Sequence, residues 1–173
     1  MITFKTFITE AKSAPLYHGT RLYNAKGIVD GDVILAQPTH GGDTPRRKGQ
    51  QPDVISLTRS LKTALDWGNG IVFELDQARL AHRYKISPIE IEYIWHRINK
   101  WGDKGEDKKY EPKSSRLYEE YVIGDIKPLS KYLTKIIVTK NTYEHMKKEA
   151  PAYNGILKHP LLYIHETKEW VNK

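Results

Sequence analysis

Three short segments carry side chains whose types and spacing suit chemistry. The first is Tyr17-His18-Gly19-Thr20-Arg21, where an imidazole ends a short apolar run and a glycine follows at once. A histidine on a strand needs partners for its ring nitrogens, and a glycine beside it lets another group approach the backbone. The pair reads as a ligand-binding edge. The second segment, "ISLTRSLKTALDWG", bears two hydroxyls, Ser56 and Thr58, and runs into a helix. The third, "RLYEEYVIGDIKPLSKYLTKIIV", opens on adjacent carboxylates, Glu119 and Glu120. Neighbouring like charges repel, and strand side chains alternate, so only one of the two acids can face a given cleft.

The elements around these segments follow from apolar spacing and breakers. "PLYHGT" reads as a strand ending at Gly19, and Leu22, Ala25 and Val29 mark a helix that Gly31 stops. "DVILAQ" is a buried strand candidate. Residues 37–53, rich in proline and glycine and carrying Arg46, Arg47 and Lys48, form a long loop of the kind that serves as a lid or binding loop. "VISLT" is a strand leading to a helix capped by Ser60 and closed by Gly68. "GIVFELD", "EEYVIGDI", "LTKIIVT" and "LLYIHE" are further strands. "KPLSKY" makes a turn or short helix, and "NTYEHMKKEA" is an N-capped helix. Phe4, Phe7, Ile8 and Ala11 predict an N-terminal amphipathic helix over 1–12. Ile91, Ile94, Trp95 and Ile98 predict another, before a charged loop at 102–116. Strands outnumber strand–helix–strand units, so the expected class is α+β in a single domain, residues 1–173.

In order and spacing, the three segments resemble the ADP-ribosyltransferase superfamily, whose members cleave NAD at the nicotinamide–ribose bond. The match covers roughly residues 15–138. The third segment is most similar to the poly(ADP-ribose) polymerase and diphtheria-toxin branch: Tyr118-Glu119-Glu120-Tyr121, apolar residues, Asp125-Ile126, then Lys131-Tyr132-Leu133. The resemblance implies split mixed and antiparallel sheets with short flanking helices, and a core about 15–138. It implies Glu120 as the catalytic glutamate, with Glu119 at the variable position. It also implies that His18 holds a ribose, and that Gly19 meets the nicotinamide amide through its backbone. Ser56 joins His18 and Glu120 as an expected catalytic residue, Thr20 and Thr58 lie nearby as small hydroxyls that help bind NAD, and Arg21 or Arg59 would meet the pyrophosphate. The chain departs from the family pattern at Ser56, which stands where the central tyrosine would be. An aromatic to stack on nicotinamide must then come from elsewhere, with Tyr23, Tyr84 and Trp67 as candidates.

Composition narrows the classes. The chain has 173 residues, 39% of them hydrophobic, and no cysteine, which removes disulfides, thiolate metal sites and thiol nucleophiles. The histidines beyond His18 show no metal-ligand spacing, so no metal is expected. No apolar run is long enough for a transmembrane helix, and the opening residues lack the features of a secretory signal. Cytoplasmic location, in a host cell if the chain is phage-encoded, is the expectation, as is a monomer. A net charge of +7 favours polyanionic partners. The resulting expectation is a mono-ADP-ribosyltransferase acting from NAD on a host protein or a nucleic acid. Two enzymes with the same substrate are its rivals, an RNA 2′-phosphotransferase and an NAD glycohydrolase. A non-catalytic basic nucleic-acid-binding domain is the rival from another class.

Overall fold

The middle strands carry near-continuous apolar runs, Ile71-Val72-Phe73 and Ile136-Ile137-Val138, which is the pattern of strands covered on both faces. A computed structural model gives the fold and describes residues 14–37, 53–88 and 119–172. The expected N-terminal helix, most of the 37–53 loop, the helix around Ile91–Ile98 and the loop at 102–116 lie outside the described residues. Eight strands pair among those described: β1 (Leu16–Gly19), β2 (Val54–Thr58), β3 (Ile71–Leu75), β4 (Ile86–Pro88), β5 (Glu119–Ile123), β6 (Leu133–Val138), β7 (Leu162–Ile164) and β8 (Glu169–Trp170). They form one mixed sheet in the order β4-β5-β2-β1-β3-β6-β7-β8. All neighbours are antiparallel except β6 and β7. The fold class is therefore α+β.

The split into separate sheets that the resemblance implies is replaced by one continuous sheet, with a weak seam. Strand β1 pairs with β3 at four positions, from Leu16↔Leu75 to Gly19↔Val72. Its pairing with β2 is confined to Tyr17↔Thr58. The ladder thus opens between β1 and β2 just beyond that pair, on the side of His18 and Ser56.

Register assigns every side chain to a face. Paired residues of an antiparallel ladder point the same way. Leu16, Ile55, Leu57, Ile71, Phe73, Leu75, Val122, Ile136 and Val138 fall on one face and belong to the larger buried cluster. Helices α1 (Leu22–Gly31), α4 (Lys140–Lys148) and α5 (Ala150–Leu157) add Ala25, Met146 and Ile156 to it. The opposite face carries Tyr17, Val72 and Ile137, packed against Ala64 of α2 (Leu61–Trp67). Each buried aliphatic side chain in these layers contributes about 1.5–3 kcal/mol.

The segment expected to be a strand at "DVILAQ" is not one. Ile34 bridges Ile126 and Gln37 bridges Val54, so the partner changes within three residues and no ladder continues. Between them the Ala36 N–H donates to Asp125 Oδ1 at 3.0 Å instead of to a strand carbonyl. Four elements carry little sequence signal. They are the short helix α3 (Gln77–Ala81), strands β4 and β8, and α5, whose Pro151 and Gly155 read as breakers. Proline is harmless in the first turn of a helix, where its missing N–H has no intrahelical role.

Candidate functional site

His18 sits one residue beyond the Tyr17↔Thr58 pair, so the antiparallel register sets it beside Leu57. Leu57 in turn pairs with Glu120. Phe73, His18, Leu57 and Glu120 therefore form one cross-strand row on one face of the sheet. His18 and Glu120 are the polar members of a face whose other residues on these strands are apolar and buried. Leu57, fully buried, fills the floor between them. A polar side chain on such a face needs partners, and both residues have them.

The His18 ring spans the opening in the ladder. Its Nδ1 lies 3.1 Å from the Ser56 carbonyl oxygen. A carbonyl only accepts, so Nδ1 carries the proton, and in the neutral ring Nε2 is an acceptor. Burial pushes the imidazole pKa down, and the hydrogen bond to Ser56 only partly offsets this. The ring therefore favours its neutral form. Sequence spacing alone does not reveal the carbonyl, because it depends on where the ladder ends.

Glu120 is held by Arg59. The guanidinium Nε and Nη2 both lie 2.6 Å from Oε1, and Nη1 donates to Gln77 Oε1 at 3.1 Å. The Glu120 side chain is 13% exposed, and its Oε2 is buried with no hydrogen-bond partner. That oxygen is an acceptor without a donor, and any hydroxyl or N–H donor has the chemistry to fill it. Arg59, expected along with Arg21 as an alternative partner of the pyrophosphate, has its guanidinium paired with Glu120 and Gln77. The signal for this was strand alternation: Arg59 lies two residues past Leu57 and so shares its face.

The other expected site residues fall elsewhere. Ser56 and Thr58 occupy register positions opposite Tyr121 and Glu119, on the alternate positions to Leu57, so the Ser56 hydroxyl faces away from His18 and Glu120. Only the Ser56 backbone reaches the imidazole. Thr58 is buried, and its Oγ1 accepts from the Ser60 N–H at 3.1 Å. Gly19 does admit a close neighbour, but that neighbour is helix α2: a Cβ there would lie 2.1 Å from the Ala64 carbonyl oxygen. Thr20 gives its N–H to Ile71, and Arg21 is the exposed residue before α1. Tyr23 is 83% exposed on α1 and Trp67 is 44% exposed at the end of α2. Tyr84 packs edge-on against Tyr132 and meets Lys127 through its hydroxyl, which commits it to the core. Asp125, Ile126 and Tyr132, from the third motif, serve packing: Asp125 ties down Ala36, and Ile126 and Tyr132 are fully buried.

Among the described residues no three His, Asp or Glu side chains gather as a metal site, and no helix is long and apolar enough to cross a membrane. Compared with protein-family models, curated proteins and solved structures, the chain matches none.

Proposed function

We propose that this protein is a mono-ADP-ribosyltransferase that takes ADP-ribose from NAD and passes it to a macromolecular acceptor, a protein or a nucleic acid. One observation carries the reading: an imidazole and a carboxylate from distant segments share one row of an otherwise apolar sheet face. The chemistry requires little more. When the bond between ribose C1 and the pyridinium nitrogen breaks, the electron pair leaves with nicotinamide, which needs no proton to depart. Positive charge develops on the sugar. The Glu120 carboxylate stabilises that charge and offers Oε2 to a sugar hydroxyl. The acceptor then bonds to C1 and gives its proton to Glu120 or to water. Neutral His18 accepts a hydroxyl hydrogen bond from the other ribose through Nε2. The net charge of +7 suits a diphosphate-bearing substrate.

The test is incubation of the protein with adenylate-labelled NAD and cell extract, followed by protease or nuclease digestion. Label retained in protein or nucleic acid supports the proposal and identifies the acceptor class. Glu120→Gln should lower the rate by about two to four orders of magnitude. Label recovered only as free ADP-ribose would make the protein an NAD glycohydrolase. Absence of NAD turnover, or an unaffected Glu120→Gln variant, overturns the assignment.

A further inference from the structure

We infer that Arg59 is a positioning residue, which fixes the Glu120 carboxylate by one oxygen so that the other is presented to a ribose hydroxyl. The inference rests on the reading above that Glu120 faces the sugar of NAD. Its basis is the form of the ion pair. An arginine fork usually meets a carboxylate with one N–H on each oxygen. Here Nε and Nη2 converge on Oε1 alone, each at 2.6 Å, and Oε2 is left buried and without a partner. A carboxylate held in this way cannot rotate without breaking two charge-assisted hydrogen bonds. Gln77, itself buried, takes Nη1 at 3.1 Å and fixes the guanidinium plane.

Each anchor sits on a rigid element. Arg59 follows the last residue of β2, Glu120 lies within β5 opposite Leu57, and Gln77 begins α3 directly after Asp76, which caps that helix. The three side chains converge because alternation gives Arg59 the face of Leu57 and Glu120. Lysine could supply the charge at position 59 but not the planar fork that reaches Oε1 and Gln77 together.

The experiment measures steady-state NAD turnover and, separately, NAD binding by calorimetry. It compares wild type, Arg59→Lys, Arg59→Gln, Glu120→Gln and the double variant Arg59→Gln/Glu120→Gln. A positioning role predicts that Arg59→Gln lowers kcat about a hundredfold while KM and the calorimetric Kd for NAD change less than about threefold. Arg59→Lys should retain an intermediate kcat. The double variant should be no slower than Glu120→Gln alone, because the two residues act as a unit. If Arg59→Gln weakens NAD binding and leaves kcat unchanged, the guanidinium serves the pyrophosphate and the inference is wrong. Additive losses in the double variant also overturn it, and so does an Arg59→Lys rate equal to that of wild type. If Arg59→Gln does not fold, the Arg59→Lys kcat and Kd decide between the same outcomes. A Glu120→Gln variant with wild-type turnover instead removes the functional reading itself, so the two failures are told apart.

Discussion

The Nδ1 of His18 lies 3.1 Å from the carbonyl oxygen of Ser56, across the one place where the ladder between β1 and β2 opens. A half-buried strand carbonyl that loses its ladder donor needs another, and the imidazole supplies it. One contact therefore does two things. It closes a gap in the backbone hydrogen bonding, and it fixes the tautomer that leaves Nε2 as the acceptor of the neutral ring.

Stability should depend on pH through His18. Burial lowers its pKa below the ordinary 6.5, so the unfolded chain binds the proton more readily than the native protein does. The group's contribution is then fully present above pH 6.5 and is lost as pH falls through the folded value. The slope can reach about 1.4 kcal/mol per pH unit within that window. Urea unfolding at pH 7.5 and pH 5.5 should show a larger acid-side loss for wild type than for His18→Gln. His159, whose pKa is also lowered by burial, contributes to both proteins alike. Equal pH slopes would refute the assignment of a neutral His18.

Gly19 should tolerate no side chain. A methyl group there would lie 2.1 Å from the Ala64 carbonyl oxygen and 3.1 Å from the Gly68 nitrogen, both backbone atoms of the α2 region. Relief requires α2 to move off the sheet, which uncovers Val72 and Ile137. Gly19→Ala should cost about 3 kcal/mol or more, read as a drop in the urea midpoint. A loss below about 1 kcal/mol would mean that α2 yields easily.

How far the sequence foretells these features depends on what each one rests on. Strands β2, β3, β5 and β6 are runs of β-branched and aromatic residues, and helices α2 and α4 have capping hydroxyls at Ser60 and Thr139, so local chemistry specifies them. Helix α3 and strand β4 are too short for a period to show. The row that joins His18 to Glu120 depends on strand order, which local pattern does not encode. The same holds for Arg59: its place two residues past Leu57 is visible in the sequence, but its partner on β5 is not. Ser56 is a related case. Its position in the motif suggests a site hydroxyl, while alternation along β2 turns that hydroxyl to the other face.

Tyr132 carries a hydroxyl the fold does not use. The residue is fully buried, its ring packs edge-on against Tyr84, and its oxygen has no hydrogen-bond partner. Burying a hydroxyl unpaired costs about 1–3 kcal/mol. Tyr132→Phe keeps the ring and removes the cost, so it should be neutral or stabilising by up to about 1 kcal/mol. Thermal or urea unfolding reads this directly, and a clear destabilisation would reveal a partner for the oxygen.

On the opposite face, Glu74 is buried and held by Thr134 Oγ1 at 2.7 Å and by Lys135 Nζ at 3.0 Å. The carboxylate also helps burial raise the pKa of Tyr17, its cross-strand neighbour. Lys135→Met leaves the acid with one fewer partner and should destabilise by about 1–3 kcal/mol. Adding Glu74→Gln should recover part of that loss, because the stranded charge is gone. Strict additivity in the double-mutant cycle would show that the ion pair carries no coupling.

Ser56 offers the sharpest contrast with Glu120. Its hydroxyl belongs to the face that bears Tyr121 and Thr58, whereas Glu120 shares the row of Leu57 and His18. What His18 uses is the Ser56 carbonyl, and a backbone atom survives side-chain substitution. Ser56→Ala should therefore leave NAD turnover within about threefold of wild type, while Glu120→Gln loses about two to four orders of magnitude. Paired rate measurements under identical conditions decide the matter. A Ser56→Ala loss as deep as that of Glu120→Gln would mean that the ligand approaches from the face of Tyr121, and the row of His18, Leu57 and Glu120 would no longer define the site.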